Sequence, residues 1–308
     1  MVEARARPPV CDMLATTRWR PAVGPAMAAT PSSALAQDAQ LTAARREDKF
    51  LVAPDLARQL AAAANRHLTP HRFRGEGANP LPGARHFVTT IYFDTAEREL
   101  FASAQAGAAH LKLRAKEYYD LHPDLTELAT DVAELVRYQP IVWLELKHKD
   151  AALSGKQRIG IPKADLPGFF AAGRLTPATI AIQEAAFGAD AQQVLAEVVR
   201  LCASCRQPLA ADCLVNYRRQ AWQDDDGELR LTIDTGLSFF APPADLWQRR
   251  KALVRESLGP AVATEARRVL EIKTRGPAPS WLRDLLAQLV LAPIGFSKFE
   301  AASAAVHG

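Results

Sequence analysis

Charged residues recur at every second position in several strand-like stretches of this chain, and that spacing limits what it can fold into. In "VWLELKHKDAALSGKQRIGI" (142–161), Glu145, Lys147, Lys156 and Arg158 alternate with Leu144, Leu146 and Ile159. Successive side chains of a β-strand point to opposite faces, so residues two apart share one. The same pattern places Glu47 with Lys49. It places Lys112, Arg114 and Lys116 opposite Leu111, Leu113 and Ala115. Arg230, Thr232 and Asp234 oppose Leu229, Leu231 and Ile233, and Glu271 and Lys273 oppose Leu270 and Ile272. A solvated outer face explains one such strand. It does not explain at least five strands whose charged faces are biased toward bases.

Eight strand-like stretches are present: 46–52, 85–93, 110–119, 140–149, 156–162, 212–222, 228–234 and 267–274. Helical patterns cover 53–68, 124–138, 179–202 and 279–291, and "QDDDGEL" (223–229) reads as the turn of an antiparallel hairpin. Residues 1–44, rich in Ala, Pro, Arg and Ser and without a steady period, read as a disordered arm before a single domain at 45–308. No run of eighteen apolar residues suggests a membrane helix. Cys202 and Cys205 form a lone C-x-x-C without a clear fourth ligand, and read as small apolar side chains at a helix end. Cysteine usage of this kind points to a reducing cytoplasm.

The charge count shows where the positive excess resides. The chain has 38 Lys and Arg against 34 Asp and Glu, a net charge of +4, too mild for a general nucleic-acid binder. Ten bases belong to the alternating set or its neighbourhood: Lys49, Lys112, Arg114, Lys147, Lys156, Arg158, Arg219, Arg230, Lys273 and Lys298. Four acids accompany them: Glu47, Glu145, Asp234 and Glu271. Without this set the remaining 28 bases and 30 acids carry −2. The expected fold is therefore α+β. It is a closed eight-stranded antiparallel β-barrel with a polar, basic lumen, its outward apolar faces covered by helices. Cations crowded into a confined space need a counter-charge, and a polyanion with many oxygens supplies it. Arg forks and Lys ammoniums both suit phosphate, and glutamates among them suit a hard divalent metal. No G-x-x-x-x-G-K-[ST] loop is present, so this is not a P-loop enzyme.

In order along the chain, "REDKFLV", "YFDT", "LKLRAKEYYD", "WLELKHKD…SGKQRIGI", "NYRRQAW…LRLTIDTGL", "VLEIKTR" and "FSKF" resemble VTC-type polyphosphate polymerase domains. These belong to the triphosphate tunnel metalloenzyme superfamily, which also holds the CYTH domains. The resemblance spans about residues 45–300 and implies an eight-stranded triphosphate tunnel. It also implies transfer of the γ-phosphoryl of ATP onto polyphosphate, with Mn²⁺ or Mg²⁺ as cofactor. Carried over by motif, Lys49, Lys112, Arg114, Lys147, Lys156, Arg158, Arg219, Arg230 and Lys298 are the implied catalytic phosphate ligands. Glu271 is the implied metal ligand. Glu47, Glu145, Tyr217, Lys273 and Ser297 are assigned to the substrate path. Parity leaves open whether Arg218 or Arg219 joins the charged face; the family's Y-x-R pattern selects Arg219 together with Tyr217.

Two departures bear on activity. Gly295 stands where the eukaryotic polymerases carry a further base before "FSK". CYTH-type triphosphatases carry E-x-E-x-K on the first strand, whereas this chain has Arg45, Glu47 and Lys49. A tunnel triphosphatase and a polyphosphate-binding module without catalysis are the alternative readings. Repulsion among the lumen bases predicts that removing Lys112 and Arg114 together costs little stability.

Overall fold

All eight strand-like stretches are strands in the computed structural model of the chain. It describes residues 45–71, 85–106, 110–119, 140–150, 153–172, 190–248 and 252–308. The strands are β1 (Arg45–Val52), β2 (Thr69–Pro70), β3 (Arg85–Asp94), β4 (His110–Tyr119) and β5 (Ile141–Asp150). They continue with β6 (Leu153–Pro162), β7 (Ala210–Gln223), β8 (Leu229–Phe240), β9 (Ala263–Glu265) and β10 (Arg268–Thr274). They form one antiparallel sheet in the order β2-β7-β3-β4-β5-β6-β1-β10-β8-β9. That is ten strands where eight were expected; β2 and β9, of two and three residues, are too short to carry a periodicity. β7 pairs with β8 as well as with β3, through the hairpin at 223–229. Gly227 takes φ +70° there, and the Asp224 carboxylate accepts from Leu229 N at 2.9 Å. The β1–β6 pairing is short, only Arg45 with Ser154 and Arg46 with Leu153.

The helices are α1 (Pro54–His67), α2 (Glu99–Gln105), α3 (Leu166–Ala172), α4 (Asp190–Ser204), α5 (Ser280–Gln288) and α6 (Lys298–His307). The expected helix at 124–138, the first part of that at 179–202, and the arm at 1–44 lie outside the described residues. Among the described residues no helix is long and apolar enough to cross a membrane.

The apolar sides of the strands are covered by helices, as their alternation demands. Leu113, Leu144, Leu146, Ile159 and Ile161 pack with Phe169 of α3 and Val194, Val198 and Leu201 of α4. Phe50, Leu231, Ile233, Leu270 and Ile272 pack with Leu60 and Ala64 of α1 and Leu282 of α5. Each fully buried Leu or Phe of these clusters contributes about 1.5–3 kcal/mol relative to exposure. Cys202 and Cys205 pack against the first cluster at the end of α4, and burial pushes their thiols up to about 11 and about 12.

One helix departs from the expectation that all helices cover the apolar side. Phe299 and Ala302 of α6 cluster with Val88, Tyr92, Val215, Tyr217 and Val269. By alternation those strand residues share the side of Arg219, Arg114 and Glu271. α6 therefore packs on the charged side, where apolar strand residues receive it. The ten residues of α6, KFEAASAAVH, include four alanines and no strong apolar stripe, so nothing in their pattern announced a core helix.

Candidate functional site

The register across neighbouring strands stacks the charged side chains in rows. Lys112 of β4 faces Lys147 of β5, which faces Lys156 of β6. The next row is Arg114, Glu145 and Arg158. On the other side of β1, Glu47 faces Lys273, which faces Arg230, while Lys49 faces Glu271. Like charges directly opposite on adjacent strands are destabilising. The three-lysine row thus needs anions, and the protein supplies some of its own.

Three carboxylates act as counter-ion centres. Glu47 lies 3.0 Å from Lys49, 3.2 Å from Lys147 and 3.8 Å from Lys273. Glu145, wholly buried, accepts from Arg114 at 2.7–2.8 Å and lies 3.7 Å from Lys116. Asp234, also wholly buried, receives both arms of the Arg219 fork at 2.6 and 2.7 Å and Lys298 Nζ at 2.7 Å. Such bidentate, charge-assisted bonds fix the guanidinium plane. This geometry settles the parity question in favour of Arg219. Arg218 sits over the Phe87 ring instead. Glu117, one residue beyond Lys116, points to the other side of the sheet and pairs with Lys163 at 2.6 Å.

These contacts set the charge states. Burial raises the Glu145 pKa, but Lys116, Arg114, Lys156 and Arg158 outweigh it and hold the carboxyl well below the usual range. Burial likewise opposes ionisation of Glu271, and Lys273, Lys49, Arg219 and Lys147 overcome it. For Glu47, burial and Glu271 push up, while Lys273, Lys147 and Lys49 win. Burial also raises Asp234, which Arg219 and Lys298 bring down to about 2. The bases show the converse. Burial pushes Lys147 down to about 7, only partly opposed by Glu47. Burial and Arg114 depress Lys116 strongly. All four acids are thus ionised at pH 7, while part of the basic charge is held back by burial.

Every site residue singled out from the sequence lies among the described residues, all in strands or α6 except Ser297, which precedes α6. Lys49, Lys147, Lys273 and Glu271 gather around Glu47, and Arg114 around Glu145. Lys156 and Arg158 act electrostatically on Glu145, and Arg230 on His86. Arg219 and Lys298 share Asp234. Tyr217, only 2% exposed, packs against both of these bases, with ring centroid distances of 5.3 and 5.0 Å. Ser297 is the N-cap of α6; its hydroxyl accepts from Glu300 N at 3.2 Å and from Lys112 Nζ at 2.7 Å.

Sequence reasoning assigned no role to several neighbours. Trp143 shares the face of Glu145, with the Arg158 guanidinium 4.4 Å from its ring. Tyr118 receives Lys116 Nζ at 3.4 Å. His86 is driven down to about 3 by burial, Arg219 and Arg230, so it is neutral at pH 7. Alternation could have found Trp143 and Tyr118, which fall two residues from Glu145 and Lys116. His86 is found only through its pairing with Arg219.

A divalent metal fits the acidic part of this site. Glu271 and Glu47 are hard oxygen donors held ionised by the bases around them. Among the described residues no group of three or more His, Cys, Asp or Glu is placed to hold a metal. Mg²⁺-type sites commonly take one or two carboxylates and complete the shell with phosphate oxygens and water, which this donor set allows.

No curated protein matches the chain. Among solved structures, it is similar to a crystal structure from Bacillus halodurans described as a candidate adenylate cyclase. The TM-score is 0.44 at 12% identity, covering 82% of this chain and 94% of that one. The family model described as VTC domain matches residues 44–307. That match takes in every strand, every helix and every charged row described above; the chain belongs to the VTC domain family.

Proposed function

We propose that the chain is a metal-dependent polyphosphate polymerase that transfers the γ-phosphoryl of ATP onto a polyphosphate chain. In this reading the eight long strands enclose a tunnel, and the charged rows line it. The observation that carries the reading is the Lys112–Lys147–Lys156 row beside the Arg114–Glu145–Arg158 row. Three ammoniums in register are costly in an empty protein and are matched by consecutive phosphates of a chain.

Phosphoryl transfer asks for positioning and charge neutralisation rather than covalent chemistry. A terminal oxygen of the polyphosphate attacks the γ-phosphorus, the bond to the β–γ bridging oxygen breaks, and ADP leaves. Arg114 and Arg219, each fixed by a buried carboxylate, present rigid forks to the phosphate oxygens. Lys49, Lys147 and Lys298 add point charges whose carboxylate partners hold them in place before substrate arrives. Glu271, with Glu47 beside it, would hold Mn²⁺ or Mg²⁺, which when bound supplies further neutralisation of the transferring oxygens. The same bases would retain the product while a new nucleotide binds. We place the protein in the cytoplasm, because Cys202, Cys205 and Cys213 are free thiols.

A second reading, a tunnel triphosphatase, draws on one observation. Glu47 and Glu271 lie close enough to share Lys273, at 3.8 and 2.5 Å. Paired glutamates of that kind can hold metal and orient a water. Incubating the pure protein with ATP and Mn²⁺ separates the readings. Long polyphosphate supports the polymerase, free phosphate alone supports the triphosphatase, and intact ATP with tight triphosphate binding leaves a binding module.

A further inference from the structure

Glu300 is a carboxylate at the charged side that comes from a helix rather than a strand. It sits in the first turn of α6, three residues after the N-cap Ser297. One oxygen accepts from Lys112 Nζ at 2.9 Å, and the other from Gln105 Nε2 at 3.3 Å. Lys112 also donates to Ser297 Oγ at 2.7 Å. Lys112 and Ser297 are both among the expected phosphate contacts, so Glu300 stands at a place a phosphate is expected to use. It also differs from the other acids of the site. Glu145 and Asp234 are wholly buried, whereas the Glu300 side chain is 28% exposed, at a helix end. Burial lowers the Lys112 pKa, and Glu300 partly restores its charge.

We propose that Glu300 is a built-in competitor for the phosphate chain: its carboxylate holds Lys112 in the empty protein, and an incoming polyphosphate must displace it. This rests on the phosphate-binding reading of the charged face. A phosphate oxygen and a carboxylate oxygen are both anionic acceptors, and two anions at one ammonium repel each other. The partly exposed position of Glu300 gives its side chain room to swing aside, which the wholly buried acids lack. The contact lowers affinity at the α6 end of the bound chain and so favours movement of the chain between transfers.

The test is calorimetric titration with inorganic triphosphate, without metal, on the full chain. Glu300→Gln is expected to bind on the order of twofold to fivefold tighter, the scale of a partly exposed ion pair. Glu300→Asp keeps the charge at the helix N-terminus but draws the carboxylate back by about 1.5 Å. It is expected to bind tighter too, because release of Lys112 is what matters. Lys112→Ala is expected to bind more weakly, and adding Glu300→Gln to it should give no further gain. The proposal is overturned if Glu300→Gln binds no tighter than wild type while Lys112→Ala weakens binding. It is also overturned if the gain persists undiminished without Lys112, which marks a general charge effect. Wild-type protein that binds no triphosphate removes the underlying reading and this inference with it. Melting temperatures confirm that each variant is folded, and Glu300→Asp serves alone if Glu300→Gln is not.

Discussion

Binding of a polyanion is predicted to draw a proton into the protein through Lys147. Its ammonium is faced by Glu47, Lys49, Glu271 and Lys273, with Lys112 and Lys156 opposite on the flanking strands. Burial places its pKa at about 7. By simple titration it is then roughly 10% protonated at pH 8 and roughly 90% protonated at pH 6. A triphosphate beside it restores the charged form. Uptake through this group is therefore about 0.9 proton per ligand at pH 8 and about 0.1 at pH 6. The sign for stability follows from the same shift. The folded pKa lies below the ordinary 10.5, so the unfolded chain binds the extra proton between about pH 7 and 10.5. Across that window the empty protein gains stability as pH rises, by up to about 1.4 kcal/mol per pH unit, and below it this group contributes no slope. Calorimetric titrations in Tris and HEPES, which differ in ionisation heat, give the proton count. Lys147→Met supplies the baseline for the ligand's own protonation. Equal uptake by wild type and Lys147→Met at pH 8 would refute the assignment.

Glu271→Gln is expected to abolish metal-dependent ATP turnover while leaving triphosphate binding intact, since the bases supply the latter; loss of binding equal to the loss of turnover would contradict it. Lys112→Ala is expected to weaken triphosphate binding with little change in melting temperature. Arg114→Ala is expected to weaken binding and also to destabilise by about 3 kcal/mol, because it removes the guanidinium that bonds the wholly buried Glu145 at 2.7–2.8 Å. Chemical denaturation distinguishes the two, and equal stabilities would show that Glu145 does not depend on Arg114.

That last prediction differs from the expectation drawn from the sequence, that repulsion between Lys112 and Arg114 makes their joint removal cost little stability. Alternation placed both on one face, but it carries no information about the neighbouring strand. Only the register shows that Glu145 lies directly opposite Arg114. The same limit hid Asp234 as the anchor of Arg219 and Lys298, which are fifteen residues before it and sixty-four after it. Alternation gave the eight longer strands, their apolar sides and most strand bases of the other side; it left Arg219 open by parity and had no bearing on Lys298, which lies on α6. Helix α6 escaped notice because its alanines make no stripe, while its docking surface is a set of buried apolar residues scattered over four strands. Glu300 escaped with it, since its role exists only once α6 is docked beside Lys112.

A crystal structure with inorganic triphosphate tests the central claim most directly. Consecutive phosphates lying along Lys112, Lys147 and Lys156, with Arg114 and Arg219 turned toward their oxygens, are expected. Triphosphate bound elsewhere, with the three-lysine row still holding only its own carboxylates, would contradict it.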